Sequence, residues 1–152
     1  MIAPCRGLSC RVHAAVLALG ALAAPGLAQP ADDVPHPRLD LTLNTVVATE
    51  GGGCRVTFVI RNDLGAAIEK LVTEAVLFDT KGRVATMTLF DFGALPEGRP
   101  RVRQFDLAGS SCDDIGEVLV NGIGTCEGDG LSPEICLAGL RLSSDSAVEV
   151  TG

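Results

Sequence analysis

The chain has 152 residues, a formal net charge of −7, and neither Trp nor Tyr. The negative balance argues against nonspecific binding to nucleic acid or anionic lipid, since both need a cationic surface. With phenylalanine as its sole aromatic residue, the chain is poorly equipped for base-stacking platforms or aromatic cages around quaternary amines. A sugar-binding face, which would stack on the same rings, is disfavoured for the same reason.

The first segment reads as an export signal. Arg6 and Arg11 are its only full charges, Val12 to Ala24 is an apolar run, and Gly26-Leu27-Ala28 supplies small residues before Gln29. Charged start, apolar middle and small-residue exit are the marks of a secretory signal peptide. The run is shorter than the roughly 20 residues needed to span a bilayer and ends at Pro25, so membrane insertion is not expected. Residues 1–28 are thus read as signal, 29–37 as a flexible proline-bearing lead, and 38–152 as one domain. Loss of the two signal arginines takes the formal charge from −7 to −9. The expected location is periplasmic or secreted.

Cys5 and Cys10 leave with the signal. Cys54, Cys112, Cys126 and Cys136 remain, and an even number in an exported chain reads as a disulfide framework. Of the three possible pairings, Cys54–Cys112 with Cys126–Cys136 is favoured. A turn-rich loop lets the ends of the second pair meet easily. The competing reading, a zinc site of four thiolates, lacks the close C-x2-4-C pairs such sites draw on. A thioredoxin-like role lacks C-x-x-C.

Leu39, Leu41 and Leu43 alternate with polar residues, which predicts a half-buried first strand. After the Gly51-Gly52-Gly53 turn, Cys54, Val56, Phe58 and Ile60 predict a second strand with Cys54 facing the core. Asn62-Asp63-Leu64-Gly65 is a turn. Lys70 to Asp79 is apolar on both faces, as a central strand would be. Residues 66–74 have fair helical composition, but Val72, Thr73 and Val76 favour a strand. Further strands are predicted over 83–92, 101–107, 115–121 and 135–142, with Val148 and Val150 extending the last or fraying. Short strands at 8–12-residue spacing give an all-β, immunoglobulin-like antiparallel β-sandwich of about seven strands, stapled by two disulfides.

Val59-Ile60-Arg61-Asn62, Ala75-Val76-Leu77-Phe78-Asp79 with Gly82, Leu95-Pro96-Glu97-Gly98, and Phe105 together resemble the F-x-L-Y-D type of bacterial immunoglobulin-like domain. That resemblance covers Cys54 to about Leu107. Ile60 stands where the family has Val, Ala75 where it has Phe, and Phe78 where it has Tyr. It implies a fold and a set of turns, not an activity. The cysteine-bearing second half is similar to small uncharacterised periplasmic proteins of alphaproteobacteria.

Candidate chemistry is sparse. His36, between Pro35 and Pro37, is the one histidine after the signal and lacks a rigid scaffold for acid–base work. Gly51-Gly52-Gly53 leads into a strand without the Lys-Ser/Thr of a phosphate loop. Asp113-Asp114 and Glu127-x-Asp129 are the densest acidic clusters, open to calcium or to plain turns. Arg99, Arg101 and Arg103 share one parity and are a candidate stripe for an anionic partner. Phe90 and Phe92 share another and are a candidate partner patch, with core burial the competing reading. The expectation is an exported, non-enzymatic module that binds a protein partner, without cofactor or metal and with oligomeric state open. The alternative is a carboxylate-based hydrolase or a calcium-stabilised structural domain.

Overall fold

The structure, a computed structural model, describes residues 36–152. The expected signal, Cys5, Cys10 and most of the proline-bearing lead lie outside the described residues. In chain order the elements are β1 (Arg38–Ala48), β2 (Cys54–Asp63), β3 (Ile68–Asp79), β4 (Val84–Leu95), β5 (Arg101–Leu107), a 3-10 turn at Cys112–Asp114, β6 (Ile115–Glu127), α1 (Pro133–Gly139), β7 (Leu140–Ser144) and β8 (Glu149–Thr151). They form two four-stranded sheets, β5-β2-β1-β7 and β4-β3-β6-β8. This is the all-β, disulfide-stapled, immunoglobulin-like sandwich the alternation implies, with eight strands.

Alternation places the core. Leu39, Leu41 and Leu43 of β1 and Cys54, Val56, Phe58 and Ile60 of β2 are buried from one sheet. Leu71, Ala75 and Leu77 of β3 and Val118 and Val120 of β6 meet them from the other. Strand β3 lies between β4 and β6, which is why its sequence is apolar on both faces: Val76, of opposite parity to Leu77, is also buried.

The pairings are antiparallel except at the chain's end, where β7 lies parallel to β1 and β8 parallel to β6. A tight reversal after β7 carries the chain from one sheet edge to the other. Asp145 donates its backbone N–H to the Leu43 carbonyl, and the Ser144 hydroxyl donates to the Val148 carbonyl at 2.6 Å.

Residues 135–142 are not one strand, as their apolar content suggests; Pro133–Gly139 is helical. The Ser132 side chain accepts the Ile135 backbone N–H, Pro133 takes the first turn where its missing N–H costs nothing, and Glu134 sits beside the helix start. Together these outweigh the weak strand propensity of Ile135 and Leu137. Val148 and Val150 flank and join a true strand rather than a frayed tail.

Cys54 is bonded to Cys112, with Cα atoms 4.9 Å apart, and Cys126 to Cys136, at 6.5 Å. The first bond ties the start of β2 to the 3-10 turn across 58 positions, and the second ties the end of β6 to α1 across 10. Loop-closure entropy assigns them about 4 and about 3 kcal/mol, large against the roughly 5–15 kcal/mol of a typical domain.

The segments that resemble the F-x-L-Y-D type meet at two junctions. Asn62 is fully buried. Its side-chain amide donates to the carbonyls of Ala66 (2.8 Å) and Leu95 (2.9 Å). Its side-chain oxygen accepts the Leu64 N–H, and its backbone carbonyl accepts the N–H of Gly98. Asn62 therefore fastens the end of β2 to the Leu95–Gly98 turn, and Gly98 makes that turn at a positive φ of 69°. At the second junction, Asp79 accepts the backbone N–H groups of Lys81 and Arg83 and the Arg83 side chain, closing the β3–β4 hairpin. The backbone N–H and then the side chain of Arg83, helped by the Lys81 N–H, hold the Asp79 carboxyl down to about 2.

Candidate functional site

The two outer faces of the sandwich are chemically unlike. On the β5-β2-β1-β7 sheet, charges and hydroxyls satisfy one another. Arg55 grips Asp106 with two hydrogen bonds of 2.6 and 2.8 Å, and this contact raises the Arg55 pKa and lowers that of Asp106. Arg61 pairs with Asp63 at 2.7 Å, Arg38 with Asp40 at 2.9 Å, and Thr42 with Ser143. Exposed pairs of this kind add little stability, but they leave few free groups for a ligand.

The other sheet ends in β4, which is hydrogen-bonded on one side to β3 and on the other to no strand. Val84, Met87 and Leu89 are 60%, 68% and 63% exposed. By register Met87 lies opposite Val76 and Val84 opposite the half-buried Phe78, and Leu119 of β6 continues the row from Val76. An apolar strip therefore runs along the outside of this sheet to an open edge. From Val84 to Phe90 it carries no charge. The other edges are shorter: seven residues in β5, five in β7, three in β8. Native sheets normally blunt a long edge with charge, proline, a bulge or a covering element; on β4 only the register shift between Val84 and Thr86 interrupts the exposed half.

The second half of β4 is covered. Phe90 and Phe92 are 2% and 0% exposed, so neither belongs to a partner patch. They interlock with Phe58 of β2 and Phe105 of β5, the Phe90–Phe105 centroids 4.6 Å apart and Phe58–Phe92 at 5.6 Å. Rings this large bury more apolar area facing inward, so β4, apolar at both parities, leaves Met87 and Leu89 outside.

Of Arg99, Arg101 and Arg103, only the last two lie on β5 and share a face. Arg99 is exposed in the turn before β5. Arg101 and Arg103 share the inward parity of Phe105 and Leu107, and because β5 is an edge strand the Arg103 head group reaches across to the other sheet. Arg103 donates Nε–H to the Phe92 carbonyl at 2.7 Å and Nη2 to the Ala94 carbonyl at 3.2 Å, and Arg101 donates to the Pro100 carbonyl. Arg103 is thus a clasp between β5 and the end of β4.

The remaining candidates stay apart. Asp113 and Asp114 lie in the 3-10 turn, Glu127 ends β6 and Asp129 follows in the loop to α1. Among the described residues, no three His, Cys, Asp or Glu side chains are grouped to hold a metal ion. His36 lines a shallow depression with Pro37, Leu64 and Ile135. All four cysteines among the described residues are disulfide-bonded, leaving no thiol nucleophile there. No described helix is long and apolar enough to cross a membrane.

No family model matches the chain, and no curated protein matches it. Among solved structures it is similar to IrmA from Escherichia coli, at 14% identity and a TM-score of 0.56, over 70% of this chain and 92% of that one. At that identity the likeness is one of fold.

Proposed function

We propose that this chain is an exported, non-catalytic sandwich module that binds a protein by adding a strand at the β4 edge. The observation that carries the reading is the uncovered stretch Val84–Leu89, charge-free and carrying the exposed side chains of Val84, Met87 and Leu89. An open edge supplies main-chain hydrogen bonds for an extended segment, and the adjoining side chains supply selectivity. Two disulfides support residence in an oxidising compartment, the periplasm or beyond, in keeping with the signal read at residues 1–28. The junctions at Asn62 and Asp79 support kinship with the F-x-L-Y-D type of domain, whose motif residues are structural.

The test is site-specific photocrosslinking in cells that export the protein. A benzophenone side chain replacing Leu89 is expected to form a covalent protein adduct, whereas the same group replacing the exposed Val102 on β5 is not. No adduct from position 89, or equal adducts from both positions, would sink the reading.

A further inference from the structure

We infer that Asn121 is a self-modification site: its side-chain amide closes onto the backbone nitrogen of Gly122, and β6 is left with an aspartyl or isoaspartyl residue that weakens its pairing with β3. The inference is independent of the docking reading above.

The chain has three asparagines, Asn44, Asn62 and Asn121. The first two are held. Asn44 donates its amide to Asp145 at 3.2 Å and is followed by β-branched Thr45. Asn62 is fully buried with its amide on two carbonyls. Asn121 is exposed, makes no side-chain hydrogen bond among the described residues, and is followed by Gly122. Its place in the sheet matters as much. Strand β3 pairs Glu74 with Gly122 and Ala75 with Val120, so Asn121 is the extra residue of a bulge, and the pairing of β6 with β8 ends at Leu119. A bulge residue is released from the ladder and bends away from the extended form, which frees the torsions that ring closure needs. Glycine adds a permissive backbone and no side chain to screen its nitrogen. A Cβ at Gly122 would find only the tip of Glu74, at 3.9 Å. The chemistry consumes water alone. The Gly122 nitrogen bonds to the side-chain carbonyl carbon of Asn121, the bond from that carbon to the amide nitrogen breaks, and ammonia leaves with the Gly122 proton. Water then opens the cyclic imide at either carbonyl. Opening at one gives aspartate. Opening at the other gives isoaspartate, whose backbone is longer by a methylene, inside a pairing where register is set residue by residue.

The test is incubation of the native, disulfide-bonded protein at body temperature and mildly alkaline pH. It is followed over days by ammonia release and by isoaspartyl methyltransferase labelling with peptide mapping. Ammonia and label are expected to rise together, with the label in the peptide that holds residues 121 and 122. Ammonia matters because exposed Asp129-Gly130 can form the same imide, but by loss of water. Gly122→Ala is expected to slow the change at Asn121 at least about tenfold. Its circular-dichroism spectrum should be unchanged, since the added methyl meets only Glu74 at van der Waals distance. The isoaspartyl fraction, separated from fresh protein by charge, is expected to melt at a lower temperature. An Asn121 that stays intact in the folded protein overturns the inference, whatever the unfolded chain does. So does equal conversion of Asn44 or Asn62, or a rate indifferent to Gly122→Ala. An isoaspartyl fraction that melts like the fresh protein overturns the weakening of the β3–β6 pairing.

Discussion

The two halves of β4 share a strand and an apolar composition, yet one is an open edge and the other a wall of the core. The first half, to Leu89, leaves its larger side chains outside. The second turns Phe90 and Phe92 into a four-ring cluster and offers its carbonyls to Arg103. Strand identity and hydrophobicity do not separate the halves. What separates them is what lies across the gap between the sheets: rings from β2 and β5 and one guanidinium face the second half, whereas the first half, with half-buried Thr86 and Thr88, meets none of these rings. An edge can therefore be closed locally, residue by residue, leaving a defined stretch for pairing.

Phe92→Ala should break the comparison hardest. Removing a fully buried ring from the cluster is expected to cost about 3–5 kcal/mol, read as a lowered urea midpoint. A loss below about 1 kcal/mol would mean the rings are not packed as a unit. Arg103→Ala should sharpen the comparison instead. It is expected to cost about 1 kcal/mol by freeing the Phe92 and Ala94 carbonyls, read as a lowered urea midpoint. An unchanged midpoint would show that Arg103 does not clasp β5 to β4. Acid should act most gently, on the turn that starts the open half. Asp79 titrates near 2 when folded, against an ordinary 3.8. A depressed carboxyl contributes stability that is fully present above its unfolded value and is lost as pH falls from about 4 towards 2. In Asp79→Asn that part of the acid sensitivity should vanish from pH-dependent melts, and an unchanged profile would remove Asp79 from the account.

Much of the fold is legible in the residues, because alternation is a direct consequence of a two-sided strand. Leu39, Leu41 and Leu43 allow one reading, and Cys54 follows from the parity of Val56, Phe58 and Ile60. The short loop between Cys126 and Cys136 makes their pairing legible as well. The candidate site was less so. Both parities of β4 are apolar, and nothing local says which face turns inward; the answer lies in Phe58 and Phe105, distant in sequence. Arg103 was misleading for a related reason. Parity gives the face of a side chain, but on an edge strand a long inward-facing arginine reaches past the core to the neighbouring sheet. At α1, the Ser132-Pro133-Glu134 start was written in the chain, but apolar Ile135 and Leu137 look equally at home in a strand.

The parallel contact of β1 with β7 has a mechanical meaning. Five residue pairs, Leu39 with Leu140 through Leu43 with Ser144, lie side by side along one edge of their sheet. Tension applied before Arg38 and beyond Thr151 would first peel the three-residue β8. It would then drag β1 and β7 past each other lengthwise, so that all five pairs share the load together instead of opening in turn. A domain built this way is suited to staying folded while something pulls on it.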